Sequence, residues 1–277
     1  MQKLLILYSV VVLSSCVNQS LDTMINKGIE YNNNAEYDLA IEMFNNVIRK
    51  DSTFIDGYFH RAESYFLIRN YEMAINDLTK VIRIDSLYKK VYLRRGFIYY
   101  TLKKYKLAIF DYSTEINNYP NDFEAYYNRS YAYSSAQLND SALNDLNIAI
   151  SLKPNYSDAY YKRAAIRLES LDYQLAIDDF MNSIRWDSQN SSTYNEIGAI
   201  YSTLKEYSMA IDFFSKAIDY SKSDEEKKYI FFNRANAYKY KGNNDLAVSD
   251  YMQAAAFGLE EAKSILLNQY KNVYKSK

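Results

Sequence analysis

A short apolar motif recurs along the chain at a nearly constant spacing. An alanine followed by an aliphatic residue appears six times at intervals of 34 residues, and a seventh time 37 residues later. These dipeptides begin at Ala40, Ala74, Ala108, Ala142, Ala176, Ala210 and Ala247. The spacing indicates a stack of similar units, each of which buries its apolar face against its neighbours.

Each unit is predicted to contain two amphipathic helices joined by a short turn. Alignment on the alanines places a small residue twelve positions earlier, usually a tyrosine nine positions earlier, and a large apolar or aromatic residue four positions later. These offsets put large side chains on one helical face and small ones where helices touch. In the fifth unit the helices are predicted over about residues 159–168 and 173–186. With only 6 Gly and 2 Pro, the chain is expected to be all-α.

This pattern resembles the tetratricopeptide repeat, whose small residue, tyrosine, alanine and aromatic residue all fall in register here. The resemblance covers residues 21–258 as seven repeats and implies a right-handed α-solenoid of helix-turn-helix units. Three extra residues near 224–227 are expected to lengthen the turn before the seventh repeat. Residues 259–277 are expected to form a C-terminal capping helix and tail, because terminal units of solenoids cover the exposed face of the last repeat.

The N-terminal segment, residues 1–15, has the layout of a secretory signal. Lys3 precedes the apolar run Leu4–Leu13, which is shorter than the ~20 residues that a membrane-spanning helix needs. The order Leu-Ser-Ser-Cys, ending at Cys16, resembles the lipobox of bacterial lipoproteins. The resemblance implies cleavage before Cys16, lipidation of that cysteine and a short linker over residues 16–20. A plain signal peptide is the alternative interpretation.

Lipidation would anchor the protein to a membrane of the bacterial cell envelope. The residue after the cysteine is Val17 rather than aspartate. By the same resemblance, nothing retains the protein at the inner membrane, so an outer-membrane location is favoured over an inner-membrane one.

In the aligned repeats, arginine recurs at one position and aspartate recurs at another. The seventh position of five repeats is arginine, and the residue sixteen positions later is aspartate in the same five. The predicted ion pairs are Arg61–Asp77, Arg95–Asp111, Arg129–Asp145, Arg163–Asp179 and Arg234–Asp250. Repeat six replaces both partners, with Ile197 and Phe213, whereas repeat one has Lys27 and Met43. A bridge between the two helices of a repeat explains this joint change. A ladder of arginines for an anionic ligand is the weaker alternative, because aspartates would occupy them.

Aromatic residues are concentrated where the family places its concave surface. The resemblance assigns positions 2, 5, 6, 9, 12 and 13 of each repeat to that surface. The predicted groove residues are Phe59, Phe66, Arg94, Phe97, Tyr100, Tyr127, Tyr131, Tyr161 and Lys162. Rings of this kind suit a peptide or a helix, because they offer large contact areas at low entropic cost. Any single ring can equally be a core residue packed between repeats.

The expected function is therefore a lipid-anchored, non-enzymatic scaffold that binds a protein or peptide partner. A carbohydrate- or small-ligand-binding lipoprotein that uses the same aromatic groove is the alternative. The family's carboxylate clamp for chaperone C-termini is not expected, because no repeat has lysine at its fifth position. Trp186 falls in an apolar column with Ile84 and Leu152 and is expected to pack between repeats.

Composition argues against several other functions. The net charge of −1 does not favour binding to nucleic acid by phosphate neutralisation. One histidine, His60, and one cysteine, Cys16, cannot supply a structural zinc site. The adjacent carboxylates Asp178 and Asp179 point about 100° apart on a helix, so they cannot act as a dyad. No cofactor, metal or catalytic residue is therefore predicted.

Overall fold

The computed structural model describes residues 20–270, and fifteen α-helices with no β-strand account for the regular structure in this range. The predicted signal peptide and Cys16 lie outside the described residues. The helices are α1 (Leu21–Asn33), α2 (Tyr37–Lys50), α3 (Ile55–Leu67), α4 (Tyr71–Ile84), α5 (Val91–Thr101), α6 (Tyr105–Asn118), α7 (Phe123–Ser135), α8 (Asn139–Leu152), α9 (Ser157–Glu169), α10 (Tyr173–Trp186), α11 (Ser191–Thr203), α12 (Tyr207–Tyr220), α13 (Asp224–Tyr240), α14 (Asn244–Ala256) and α15 (Glu260–Gln269). The all-α tetratricopeptide solenoid expected from the sequence is the observed fold class.

The described part of the chain divides into two compact units, residues 20–136 and 137–270. The first unit contains α1–α7 and the second contains α8–α15. Within each unit, every helix packs against the helix that follows it in the chain. Odd-numbered helices one repeat apart are also in contact within a unit, as α1 is with α3 and α5 is with α7.

Small residues allow the two helices of a repeat to approach each other closely. The repeat alanines Ala40, Ala74 and Ala210 are fully buried. A Cβ atom on Gly198 would lie only 2.7 Å from the ring of Phe214, which is itself buried. Large rings therefore occupy the space left by the small residues at this repeat position, as the offsets in the sequence indicate.

The turn inside each repeat always contains one residue in the left-handed region of backbone space. These residues are Ala35, Arg69, Lys103, Gln137, Leu171, Lys205 and Gly242. The following residue closes the preceding helix: the N–H of Asp172, for example, donates to the carbonyl of Arg167 at 2.9 Å. This is the hydrogen bond of a helix C-terminal Schellman motif, where glycine is the residue with the lowest steric cost.

Replacing Leu171 by glycine is expected to stabilise the second unit. Leu171 has φ 61° and is 66% exposed, so the substitution removes steric cost and loses little packing. We expect urea denaturation to give a free energy of unfolding higher by about 0.5–1 kcal/mol. Leu175→Gly is the matched control: Leu175 is also exposed but lies inside α10, so this change should lower stability by about 1 kcal/mol. A lower stability for Leu171→Gly would contradict the argument.

Two expectations from the sequence, one about a turn and one about Trp186, are wrong. The extra residues near 224–227 do not lengthen a turn but add a turn of helix to the start of α13, which has 17 residues. Asp224, Glu225 and Glu226 fall in its first turn, where acidic side chains favour helix formation. Trp186 does not pack between repeats and is 49% exposed at the end of α10.

The C-terminal helix α15 covers the last helical pair of the second unit. Ala262 and Leu266 are fully buried and join a core cluster with Ala235, Val248 and Tyr251. The next residue, Leu267, is 41% exposed, so α15 buries one face only. This arrangement removes the apolar face of α13 and α14 from water, as terminal units of repeat proteins must.

Candidate functional site

Four of the predicted Arg–Asp pairs are bidentate ion pairs between the two helices of one repeat. Arg95 donates from Nε to Asp111 Oδ2 and from Nη2 to Asp111 Oδ1, both at 2.8 Å. The same geometry joins Arg61 to Asp77, Arg163 to Asp179 and Arg234 to Asp250. All four aspartates are buried. Arg129 and Asp145 lie in different units, so their pairing stays a prediction.

Each of these arginines also reaches back to the preceding repeat. Nη1 of Arg95 donates to Thr79 Oγ1 at 3.1 Å, and Nη1 of Arg163 donates to Asn147 Oδ1 at 2.6 Å. The other donor–acceptor pairs are Arg61–Asn45, Arg129–Ser113 and Arg234–Ser215. The guanidinium therefore ties together three helices from two repeats. Repeat six has isoleucine, Ile197, in place of the arginine, and the acceptor position that precedes it, in repeat five, is Met181.

Sequence reasoning missed this acceptor column, although a signal was present. Its members are Asn45, Thr79, Ser113, Asn147, Met181 and Ser215. Of these six residues only Met181 is apolar, and it lies sixteen positions before Ile197, which stands in place of the arginine in repeat six.

Aromatic rings flank the arginines on both sides. The guanidinium carbon of Arg95 lies 5.7 Å from the ring centroid of Tyr92 and 5.8 Å from that of Tyr99. Arg61 has the same relation to Tyr58 and Tyr65. Several of the tyrosines therefore pack against arginines rather than form a groove.

Repeats five and six vary this arrangement. In repeat five, Arg167 replaces one tyrosine and donates from Nη1 to Asp179 Oδ2 at 2.6 Å. In repeat six, Phe213 stacks on Tyr201 with 5.5 Å between ring centroids and lies 6.4 Å from Tyr194. Phe213 therefore contacts the two rings whose counterparts flank an arginine elsewhere.

The paired arginines are not available to an external anion. Burial disfavours the charged form of Arg95, but the hydrogen bonds and the charge of Asp111 outweigh this effect and raise the pKa of the guanidinium. Its Nε, Nη1 and Nη2 atoms all donate within the protein. These contacts favour the structural interpretation over an arginine ladder for a ligand.

The first unit contains a cavity of about 420 Å³ formed chiefly by its odd-numbered helices α1, α3 and α5. Three predicted groove residues, Phe66, Arg94 and Phe97, line it. The volume lies in the range of about 300–1,000 Å³ that is typical of small-ligand pockets. The cavity can therefore accept about one or two side chains of a partner rather than a folded element.

Part of the lining of this cavity is apolar. The rings of Phe66 and Phe97 meet edge to face, with 5.6 Å between their centroids. Phe97 is 41% exposed, and Ile29 and Leu67 extend the apolar surface. An apolar side chain that enters here would lose water contact against two rings.

Another part of the cavity lining carries a chain of polar contacts. His60 Nδ1 lies 3.0 Å from Glu63 Oε2, and Arg94 Nε lies 3.5 Å from Glu63 Oε1. The imidazole of His60 is held between Phe44 and Phe59, at centroid distances of 5.9 and 5.4 Å. His60 and Glu63 were not among the predicted groove residues. Their positions in the repeat, six and nine, are nevertheless those of the concave surface.

Phe59 is not a groove residue. Its side chain is only 8% exposed and belongs to a core cluster with Leu78, Val81 and Val91. Its ring also packs against Tyr88, with 5.0 Å between centroids. Position five of this repeat faces its neighbouring helices, whereas position twelve, Phe66, faces the cavity.

Tyr100, Tyr127 and Tyr131 form a second aromatic group in the first unit. The rings of Tyr127 and Tyr131 lie 5.1 Å apart, and their hydroxyl oxygens are 3.1 Å apart. The ring of Tyr100 packs edge to face against Tyr131 at 6.4 Å. All three are half-buried, and none of them lines the cavity.

The second unit holds the two remaining predicted groove residues. Tyr161 packs edge to face against the buried ring of Phe180 at 5.3 Å. Burial lowers the pKa of Lys162, against the opposing charge of Glu169. Burial also raises the pKa of Glu196, which occupies the same position in the next repeat.

Residues 20–270 contain no group of three or more His, Cys, Asp or Glu side chains that could hold a metal ion. Every helix in this range is too short or too polar to serve as a membrane-spanning segment.

Comparison with known proteins agrees with this architecture. The family model for the tetratricopeptide repeat matches residues 55–86, 123–156, 191–224 and 229–256. Each of these four segments carries a tetratricopeptide repeat. Three of the matched segments begin at the first position of repeats two, four and six as aligned from the sequence. A comparison with curated proteins finds no significant match.

Solved tetratricopeptide repeat structures share the fold at low sequence identity. The C-terminal part of a TPR repeat-containing protein from Cytophaga hutchinsonii is 16% identical with a TM-score of 0.72, and the match covers 87% of this chain and 98% of that one. A tetratricopeptide repeat protein from Parabacteroides merdae is 17% identical with a TM-score of 0.64, covering 90% of this chain and 98% of that one. YrrB, described as a TPR protein with an unusual peptide-binding site, is 18% identical with a TM-score of 0.54, covering 66% and 94%.

Proposed function

We propose that this protein is a non-enzymatic scaffold that binds a segment of a partner protein through the cavity of its first unit. The observation that carries the proposal is the cavity between α1, α3 and α5, whose lining includes two aromatic rings and a half-exposed arginine. Such a combination gives both contact area and polar specificity to a peptide. The fold is generally one of interaction scaffolds, and a similar fold in YrrB has a peptide-binding site.

The proposal is tested by selecting binders from a random peptide display library on the purified chain. We expect the double variant Phe66→Ala, Phe97→Ala to lose binding of the selected peptides by tenfold or more, that is by about 1.4 kcal/mol or more. Phe110→Ala is the matched control, because Phe110 is also exposed but lies on the even-numbered helix α6. Binders that are insensitive to the double variant would place the site elsewhere. Selection of glycans but no peptides from parallel libraries would favour carbohydrate binding instead.

We also propose that the scaffold is anchored by lipid at Cys16. The proposal rests on the Leu-Ser-Ser-Cys order after a short apolar run, and on Cys16 being the only cysteine in the sequence. Bacteria that express the full chain and are fed labelled palmitate should incorporate label into a membrane-bound product. Cys16→Ser should abolish the label and release the product from the membrane fraction. Incorporation of label into the Cys16→Ser variant would refute the assignment.

A further inference from the structure

Arg94 differs from the neighbouring Arg95 in how much of its guanidinium is already occupied. Arg95 is largely buried, and its Nε, Nη1 and Nη2 atoms all donate within the protein. The side chain of Arg94 is 51% exposed, and its contact is the ion pair from Nε to Glu63. Among the described residues, 20–270, its Nη1 and Nη2 atoms have no hydrogen-bond partner. Arg94 therefore keeps the donor edge that binds carboxylates in bidentate geometry.

The surroundings of Arg94 leave room for one more negative charge. Glu63 is the one carboxylate among the residues that line the cavity in the described part of the chain. Its second oxygen is already engaged by His60 at 3.0 Å. Glu63 thus holds the guanidinium in place through Nε without occupying its outer edge.

The apolar part of the cavity lies one helical turn from this cation. Phe97 follows Arg94 by three residues on α5, so the Cβ atoms are about 5–6 Å apart on one face. In an extended peptide, side chains two residues apart point the same way and are separated by about 6.6 Å. An apolar residue that contacts Phe66 and Phe97 would therefore present the residue two positions away to Arg94.

We infer that the cavity recognises an extended acidic segment in which an apolar side chain and a carboxylate side chain are two residues apart. This inference rests on the proposed function and specifies the class of peptide bound. The aromatic pair takes the apolar side chain, and the outer edge of Arg94 takes the carboxylate. The recognised carboxylate is a side chain within the segment, so a free C-terminus is not required.

The inference is tested with three fluorescein-labelled peptides that differ only at the recognised positions. Each is blocked at both ends and has a Gly-Ser backbone with a central Phe-Ser-Glu, Phe-Ser-Lys or Ala-Ser-Glu. Fluorescence anisotropy with the full chain should rank Phe-Ser-Glu as the tightest binder, with each of the others weaker by about tenfold. Arg94→Gln should bring the first two peptides to similar affinity, and Arg94→Glu should reverse their order.

Lys106→Glu is the matched control, because it makes the same charge change on an exposed residue of α6 and should leave the order unchanged. Circular dichroism melts check that each variant is folded. A Phe-Ser-Glu peptide that does not bind, or whose preference over Phe-Ser-Lys survives Arg94→Glu, overturns the inference. Library peptides that still depend on Phe66 and Phe97 would in that case leave the proposed function standing, whereas their absence would refute that function itself.

Discussion

Arg95→Ala should lower the free energy of unfolding by about 3–5 kcal/mol in urea denaturation, one of the largest losses open to a single substitution in this chain. The substitution leaves Asp111, 1% exposed, as a buried carboxylate without its bidentate partner. It also leaves Thr79 without a hydrogen bond and creates a gap between Tyr92 and Tyr99. Lys106→Ala is the control, because an exposed charge on the next helix should change stability by less than about 0.5 kcal/mol.

The triple variant Thr79→Met, Arg95→Ile, Asp111→Phe should recover most of this loss. It gives repeat three the Ile197 and Phe213 of repeat six, and it gives repeat two the Met181 of repeat five. Repeat three is a suitable host because it shares two features with repeat six. Both have two flanking tyrosines, and in both a glycine directly follows the exchanged residue, Arg95 or Ile197. Replacement of a buried ion pair by well-packed apolar groups is often neutral. A triple variant as unstable as Arg95→Ala would show that the polar Thr, Arg and Asp side chains cannot be exchanged for the apolar Met, Ile and Phe side chains.

Leu266→Ala should lower stability by about 2–5 kcal/mol, because a fully buried leucine is removed from the contact between α15 and the last helical pair. Leu267→Ala deletes the same atoms from the adjacent position, which is 41% exposed, and should cost less than about 1 kcal/mol. Urea denaturation of both variants measures the difference. Equal losses would mean that α15 does not act as a cap with one buried face.

The helical architecture was predictable from the sequence because one spacing recurs throughout the chain. The alanine of each repeat shows which face of the second helix is buried and where that helix lies. The second helix of repeat five accordingly begins and ends at the predicted residues, Tyr173 and Trp186. The insertion before repeat seven was harder to place. A charged Asp-Glu-Glu sequence suits a loop and a first helical turn equally well, and the structure adopts the helix.

The Arg–Asp pairing was also visible in the sequence, since both partners change together in repeat six. Their acceptors in the preceding repeat were not recognised, because Asn, Thr and Ser are common on exposed helical faces and differ chemically from one another. Met181 can be connected with Ile197 and Phe213 only because the structure shows Arg163 donating to Asn147, the residue that corresponds to Met181.

The cavity itself could be predicted only in part. Position within the repeat selects the correct helices, but neighbouring side chains decide which rings stay accessible. Phe59 is covered by Tyr88 at the end of its own repeat and by Val91 of the following one, whereas Phe66 and Phe97 remain at the cavity. The polar contacts of His60 and Glu63 depend on a rotamer choice that no repeat spacing encodes.

The most direct measurement of the central claim is photocrosslinking from inside the cavity. A benzophenone amino acid is placed at position 97 in one variant and at position 110 in another, since both residues are exposed phenylalanines on consecutive helices. Each variant is irradiated with the library-selected peptides. Cavity binding predicts efficient crosslinking from position 97 and little from position 110. Crosslinking from position 110 alone would contradict it.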